Sequence, residues 1–241
     1  MLSSRQIDLL NAIISEYLDT SEPVGSSVIV KKYNVKCSAA TVRNEMAKLL
    51  DDGFLQMLHT SSGRVPTPQA YKFFIDEIME EQEIPVLQEV AIKQRLWPTR
   101  FEFNKLLRQS ALSLADMTKL LALVTTEDGY VAHAGAVNVL DNIEFWDIDV
   151  AKSALYLLDR YELLQELLEK ASYGSNDVKF LIGEELGSKY LNNCSLLFSP
   201  YVVGNRSGYV GVLGPARMNY SVVVPAVRYT KKLIEELGEN W

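Results

Sequence analysis

Residues 38–67, SAATVRNEMAKLLDDGFLQMLHTSSGRVPT, gather the side chains best suited to hydrogen bonding along a polymer surface. Arg43 and Asn44 stand among small neighbours, Ala40, Thr41 and Ala47, and a run of donors follows at His59, Thr60, Ser61, Ser62 and Arg64. An Asn amide can read adenine and an Arg guanidinium guanine, each through two hydrogen bonds. Either group can instead hold a phosphate oxygen, as can the hydroxyls and the imidazole. A solvated surface helix and turn would use the same residue types, so the surrounding elements must separate the two readings.

Turnover chemistry has no comparable signal. The chain lacks a GxxxxGK phosphate loop, an HExxH pair and a GxSxG elbow. Cys37 and Cys194 are far apart and show no ligand spacing, so no disulfide, metal or cofactor is expected, and a reducing cytoplasm is. His59 has no second ligand at a suitable spacing, and His133, inside an apolar run, reads as a core histidine. Arg217 and Tyr220 read as structural, with Arg217 tied to a carboxylate; lining a ligand pocket is the alternative.

The elements that would position the donors are legible. Ser3 and Gln6 have capping-box spacing, and Ile7, Leu10, Ile14 and Tyr17 recur at helical intervals. Glu22-Pro23-Val24-Gly25 breaks that helix. Ser26 and Ser27 are expected to cap a second one, ending near Tyr33. Ser38 caps a third, whose inward face is Val42, Met46, Leu49 and Leu50. At 100° per residue, Ala40, Thr41, Asn44, Ala47 and Lys48 lie opposite, with Arg43 at the edge. Residues 54–58 and 64–66 can pair as a hairpin, and Thr67-Pro68 restarts a helix running to about residue 82. Three helices and a hairpin in this order predict a winged helix-turn-helix.

Beyond Ile84-Pro85, a helical region to residue 118 is followed by strands at 120–126, 130–140, 178–183, 195–203 and 209–213. A helix is expected over 149–170 and another over 222–237, with Pro225 tolerated in its first turn. This mixture predicts an α+β sheet domain. The start lacks a basic flank and a long apolar run, so no signal peptide or membrane span is expected. Net charge is −7 over 241 residues, yet residues 1–72 hold eight Lys/Arg against seven Asp/Glu. A weakly basic head on an acidic body confines polyanion contact to a few placed cations.

EPVGSS at 22–27, SAATVRNEM at 38–46, HTSSGRVPT at 59–67 and Tyr71 resemble the HrcA heat-inducible transcription repressors. IGEE at 182–185, Cys194-Ser195-Leu196 and GVLGPARMNY at 211–220 resemble that family's C-terminal segments. Ala216 replaces the family's Thr, and Pro68-Gln69 follows the wing. Family members are longer, with an inserted dimerising region inside a GAF-like domain, most of which is missing here. The resemblance implies a winged helix-turn-helix over 1–83, a helical connector over 84–118 and a reduced GAF-like domain over 119–241. It implies a cytoplasmic, non-enzymatic repressor that binds double-stranded DNA at an inverted-repeat CIRCE operator as a homodimer, with a GroEL-type chaperonin as a further partner. Groove contact is expected from Ala40, Thr41, Arg43 and Asn44. Phosphate or wing contact is expected from Ser26, Ser38, His59, Thr60, Ser61 and Arg64. A regulator whose second domain senses a small effector is the alternative.

Overall fold

In the computed structural model the described residues are 2–33, 37–59, 63–172 and 177–238. They form two units, Met1–Glu80 and Glu81–Trp241, and the fold class is α+β.

The first unit opens with α1 (Ser4–Thr20), whose capping box is formed by Ser3 and Gln6. Leu9, Leu10, Ile13 and Ile14 are buried along it. At about 1.5–3 kcal/mol for each buried side chain against about 1 kcal/mol for a cap, packing rather than capping holds this helix. α2 (Ser26–Lys32) and α3 (Ala39–Asp51) pack against α1 and each other, burying Ile29, Val42, Met46 and Leu49. Leu50 is only half-buried. The cap of α2 is Gly25, which offers no side chain, so Ser26 and Ser27 are its first helical residues and not its caps.

Strands β1 (Leu55–Gln56) and β2 (Val65–Pro66) pair antiparallel, with Leu55 opposite Pro66. Thr67 caps α4 (Pro68–Phe73) through Ala70 N–H, and Pro68 takes the first helical position. The helix then widens into a π turn, Phe74–Ile78, in which Met79 N–H reaches Phe74 O. It therefore ends before the expected residue 82.

The second unit is built on a five-stranded antiparallel sheet in the order β4-β3-β7-β6-β5. Its strands are β3 (Leu121–Thr125), β4 (Val131–Ala134), β5 (Lys179–Ile182), β6 (Cys194–Val203) and β7 (Arg206–Pro215). Leu121, Leu123, Leu196, Phe198 and Leu213 form one core with α7 (Ile148–Asp159) and α8 (Tyr161–Ala171). On the opposite face lie α6 (Phe103–Thr118) and α9 (Tyr220–Gly238), and α5 (Val86–Leu96) packs its Ile92 and Leu96 against Leu106, Leu233 and Leu237.

Four expectations change here. The strand begun at residue 131 stops at Ala134 because Gly135 turns left-handed at φ 76°, where a Cβ would lie 2.4 Å from Leu120 O. Two 3-10 turns, Ala136–Asp141 and Ile143–Trp146, follow it. His133 is exposed on this edge strand and is not a core histidine. The helix expected over 149–170 breaks at Arg160, whose φ of −121° and ψ of 78° are non-helical. Pro225 is the sixth residue of α9, beyond its first turn. Ser221 O, the acceptor that residue 225 would have used, takes the Gln82 backbone N–H at 2.9 Å instead.

Candidate nucleic-acid interface

The N-terminus of α3 is set by Ser38, whose Oγ accepts Thr41 N–H at 3.2 Å and lies 3.0 Å from Thr41 Oγ1. Satisfying that amide is worth about 1 kcal/mol. It also means that Ser38 and Thr41 share one hydroxyl hydrogen bond rather than standing ready as two separate donors. The other end of α3 closes with Gly53 N–H on Leu50 O and Phe54 N–H on Leu49 O. Its length and axis are thus fixed at both termini.

With Val42, Met46 and Leu49 buried beneath, Ala40, Arg43, Asn44 and Ala47 occupy one exposed face. Arg43 and Asn44 have no side-chain hydrogen bond or ion pair among the described residues. The neighbouring cation behaves differently: Lys48 Nζ pairs with Glu45 at 3.0 Å. The α3 first turn holds no acidic residue, so the partial positive charge of the helix N-terminus is not offset locally.

The hairpin is anchored to the α1–α2 turn. Val24 and Arg64 exchange both backbone hydrogen bonds, at 2.8 and 2.9 Å. Gly63 makes the approach possible, since a Cβ there would meet Pro23 C and O at 2.6 Å. Pro23-Val24 and Gly63-Arg64, forty residues apart in sequence, therefore act as one contact. Thr67 adds a second anchor, with its Oγ1 donating to Gly53 O at 2.7 Å and its N–H to Phe54 O at 3.1 Å. Arg64 is half-buried at this junction, near the half-buried Ser26 that opens α2, and His59 is exposed at the other side of the loop. Thr60 and Ser61, expected as donors, lie outside the described residues.

One polar residue that matters here was missed in the sequence. Glu16, buried on α1, accepts from Lys32 Nζ at 2.7 Å and from the Tyr33 hydroxyl at 3.3 Å, latching the end of α2. Burial, then the Glu16 charge, push the Tyr33 phenol up to about 12. The available signal was a carboxylate set two and three residues beyond Ile14 and Ile13, inside the apolar stripe. Lys32, though exposed like Lys31, is accordingly committed to Glu16.

In the second unit Arg217 binds Glu144 through two contacts, Nε–Oε1 at 2.6 Å and Nη2–Oε2 at 3.0 Å, as the structural reading expected. Tyr220 is buried and donates to Ala216 O at 2.7 Å. Among the described residues no cluster of three or more His, Cys, Asp or Glu could hold a metal ion, and no helix is long and apolar enough to cross a membrane.

Comparisons with known proteins agree along the whole chain. The heat-inducible transcription repressor HrcA of Clostridium botulinum (strain Eklund 17B / Type B) is 27% identical over 342 aligned residues, covering 99% of this chain and 98% of the relative. HrcA of Carboxydothermus hydrogenoformans is 25% identical over 341 residues, covering 100% and 99%. Since this chain has 241 residues, alignments of that span leave about a hundred positions without a counterpart here. A crystal structure described as that of a hypothetical protein shares the fold, with a TM-score of 0.81 at 18% identity over 100% of this chain and 99% of that one. The family model for the HrcA protein C terminal domain matches residues 92–224, spanning the sheet, the Arg217–Glu144 pair and most of the surrounding helices, and on that match the chain belongs to the HrcA family.

Proposed function

We propose that this chain is a winged helix-turn-helix repressor of heat-shock genes, acting in the cytoplasm without catalysing a reaction. It binds an inverted-repeat operator of CIRCE type as a homodimer. The observation that carries the reading is the exposed face of α3, where Arg43 and Asn44, without a partner among the described residues, stand between two alanines over a buried apolar face. A helix entering a major groove needs donors with no internal partner and small residues that let the backbone come close. The names of the curated relatives, heat-inducible transcription repressors, support it from outside.

On this reading Ala40, Thr41, Arg43 and Asn44 meet the groove. Ser26, Ser38, His59, Thr60, Ser61 and Arg64 meet phosphates or the wing's groove. Residues 1–83 are the DNA head, 119–241 a reduced GAF-like body, and 84–118 join them, with α6 built into the body's helical layer. Two heads answer the two half-sites of an inverted repeat. A GroEL-type chaperonin maintains the active body, and heat withdraws it.

Titration of the purified chain into an inverted-repeat duplex, with mass followed by light scattering, tests this. Tight binding at low salt that weakens steeply as salt rises, with preference over scrambled duplex, is expected. A strictly monomeric chain with no operator preference would sink the reading. A small effector held by the second unit is the alternative: the cavity beside Tyr161, Tyr201 and Tyr209 holds about 210 Å³, and the groove along Tyr156, Leu163 and Leu191 about 380 Å³, the latter within the size of ordinary ligand sites.

A further inference from the structure

At one end of the sheet, a cavity of about 210 Å³ lies between α8, the turn after β3 and the β6–β7 hairpin, with Glu127, Tyr161, Gln165, Glu169, Tyr201 and Tyr209 in its lining. Most of its hydroxyl protons are spent internally. The Tyr161 hydroxyl donates to Thr126 O and the Tyr201 hydroxyl to Thr125 O, each at 2.7 Å. Ser207 Oγ donates to Glu127 Oε2 at 2.7 Å, and Thr126 Oγ1 to the Asp128 carboxylate. Gln165 Nε2 donates to Glu169 Oε1 at 2.6 Å. These bonds fix the wall, and what they leave over is mostly acceptors: carboxylate oxygens, hydroxyl lone pairs and aromatic rings.

The charge of this cavity is one-sided. Glu127 and Glu169 are both exposed, neither has an ion pair among the described residues, and no described cation shares the lining with them. The basic residues next to lining positions in sequence are engaged elsewhere. Arg160 lies over the Tyr156 ring at 5.2 Å and Lys170 pairs with Glu166 at 2.6 Å. Arg206, whose charge reaches Tyr201, lies over the Phe103 ring at 4.7 Å. The acidic neighbours Asp128 and Glu162 add to the negative side. Burial raises the Tyr161 phenol, a backbone hydrogen bond from Gly129 lowers it, and the charges of Asp128, Glu169 and Glu127 raise it again, so three carboxylates are felt at this ring.

We propose that this cavity binds a small primary ammonium ion, its N–H groups held by Glu127 and Glu169 and its charge facing the Tyr161 and Tyr209 rings. A wall of acceptors and anions whose own donors are committed complements a ligand that is donor and positive, and offers an anion little. The ring quadrupoles attract a cation further in a partly desolvated site. A metal ion fits less well, since among the described residues no three His, Cys, Asp or Glu come together. The volume of about 210 Å³, below the roughly 300 Å³ at which ordinary ligand sites begin, limits the occupant to a few carbons beyond the nitrogen. Every residue of the site belongs to the second unit, so the site stands whether or not the chain binds an operator.

Isothermal titration calorimetry of the full chain at neutral pH tests this, with n-butylammonium as probe and n-butanol and butyrate as its uncharged and anionic counterparts. Saturable binding of the amine alone is expected. Glu127→Gln and Glu169→Gln remove charge yet keep an acceptor for Ser207 and Gln165, so both should retain native circular dichroism and bind the amine at least ~10-fold more weakly. Tyr161→Phe, which keeps the ring, should bind within ~3-fold of wild type, and Tyr161→Leu should lose about 5-fold or more. Glu166→Gln, on the same helix but outside the lining and paired with Lys170, should leave affinity unchanged. A wild type that binds no amine, or binds n-butanol as tightly, overturns the proposal. Equal weakening by Glu166→Gln and Glu169→Gln overturns it too, because it would reveal only the diffuse field of an acidic surface. Equal affinity for tetramethylammonium, which has no N–H, overturns the assignment of a primary amine.

Discussion

Arg43 and Asn44 are decisive because neither has a side-chain hydrogen bond or ion pair among the described residues. Internal partners would have to be surrendered before either could bind a base, as Lys48 would have to leave Glu45. If Arg43 reads a base edge, Arg43→Ala should cost about 1–3 kcal/mol in operator affinity and relax preference at a single operator position. Titrating a set of single-substitution duplexes measures this. Equal weakening on every duplex would instead make Arg43 a phosphate anchor. Glu16 teaches the converse: its residue type suggested surface, and its place in the stripe made it a buried latch for Lys32 and Tyr33.

At the scale of elements, two joints carry the arrangement. Gly63 lets the hairpin strand meet Pro23-Val24, and Gly63→Ala should destabilise the first unit by about 1–3 kcal/mol through overpacking against backbone. Thermal unfolding reads the loss, and on the proposed reading operator affinity falls in parallel as the hairpin shifts. The other joint is the start of α9, which contains Pro225. Pro225 withholds an N–H and leaves Ser221 O to Gln82, so Pro225→Ala supplies an internal competitor for that carbonyl. Hydrogen exchange at the Gln82 amide should then accelerate. Unchanged protection at Gln82 would show that Ser221 O accepts both donors.

For the whole molecule, buried phenols set an alkaline limit in both units. Burial is the first cause in each case: it pushes Tyr33 and Tyr229 up to about 12 and raises Tyr201 and Tyr220 as well. A pKa raised in the folded state means that the neutral phenol is favoured by folding. This stabilisation is whole below the ordinary tyrosine value of about 10 and is lost as pH climbs through about 12. Unfolding temperature should hold steady from pH 7 to 9 and fall between 10 and 12, measured by circular dichroism, with the fall arising in both units. A flat profile through that window would contradict the burial of these rings.

Local physics made much of this chain legible in advance. Capping at Ser3, Ser38 and Thr67 rests on neighbours within three residues, and the inward stripes of α1 and α3 rest on a fixed period, so both could be read directly. Four further features depended on partners distant in sequence. Gly135 turns left-handed where Leu120 O leaves no room for a Cβ, His133 faces outward because β4 is an edge, Gly63 answers to Pro23, and Pro225 is accommodated by Gln82. Periodicity also marked 149–170 as helical without revealing the break at Arg160. It likewise gave no sign of the exposed apolar side chains over residues 137–146, because residues at a spacing of three look like any apolar run until the chain turns into 3-10 geometry and buries only Val139 and Phe145. Residue order fixed the donors and the helix that carries them; tertiary packing decided which stayed unpaired and which apolar face was left open, since both depend on contacts between segments far apart in the chain.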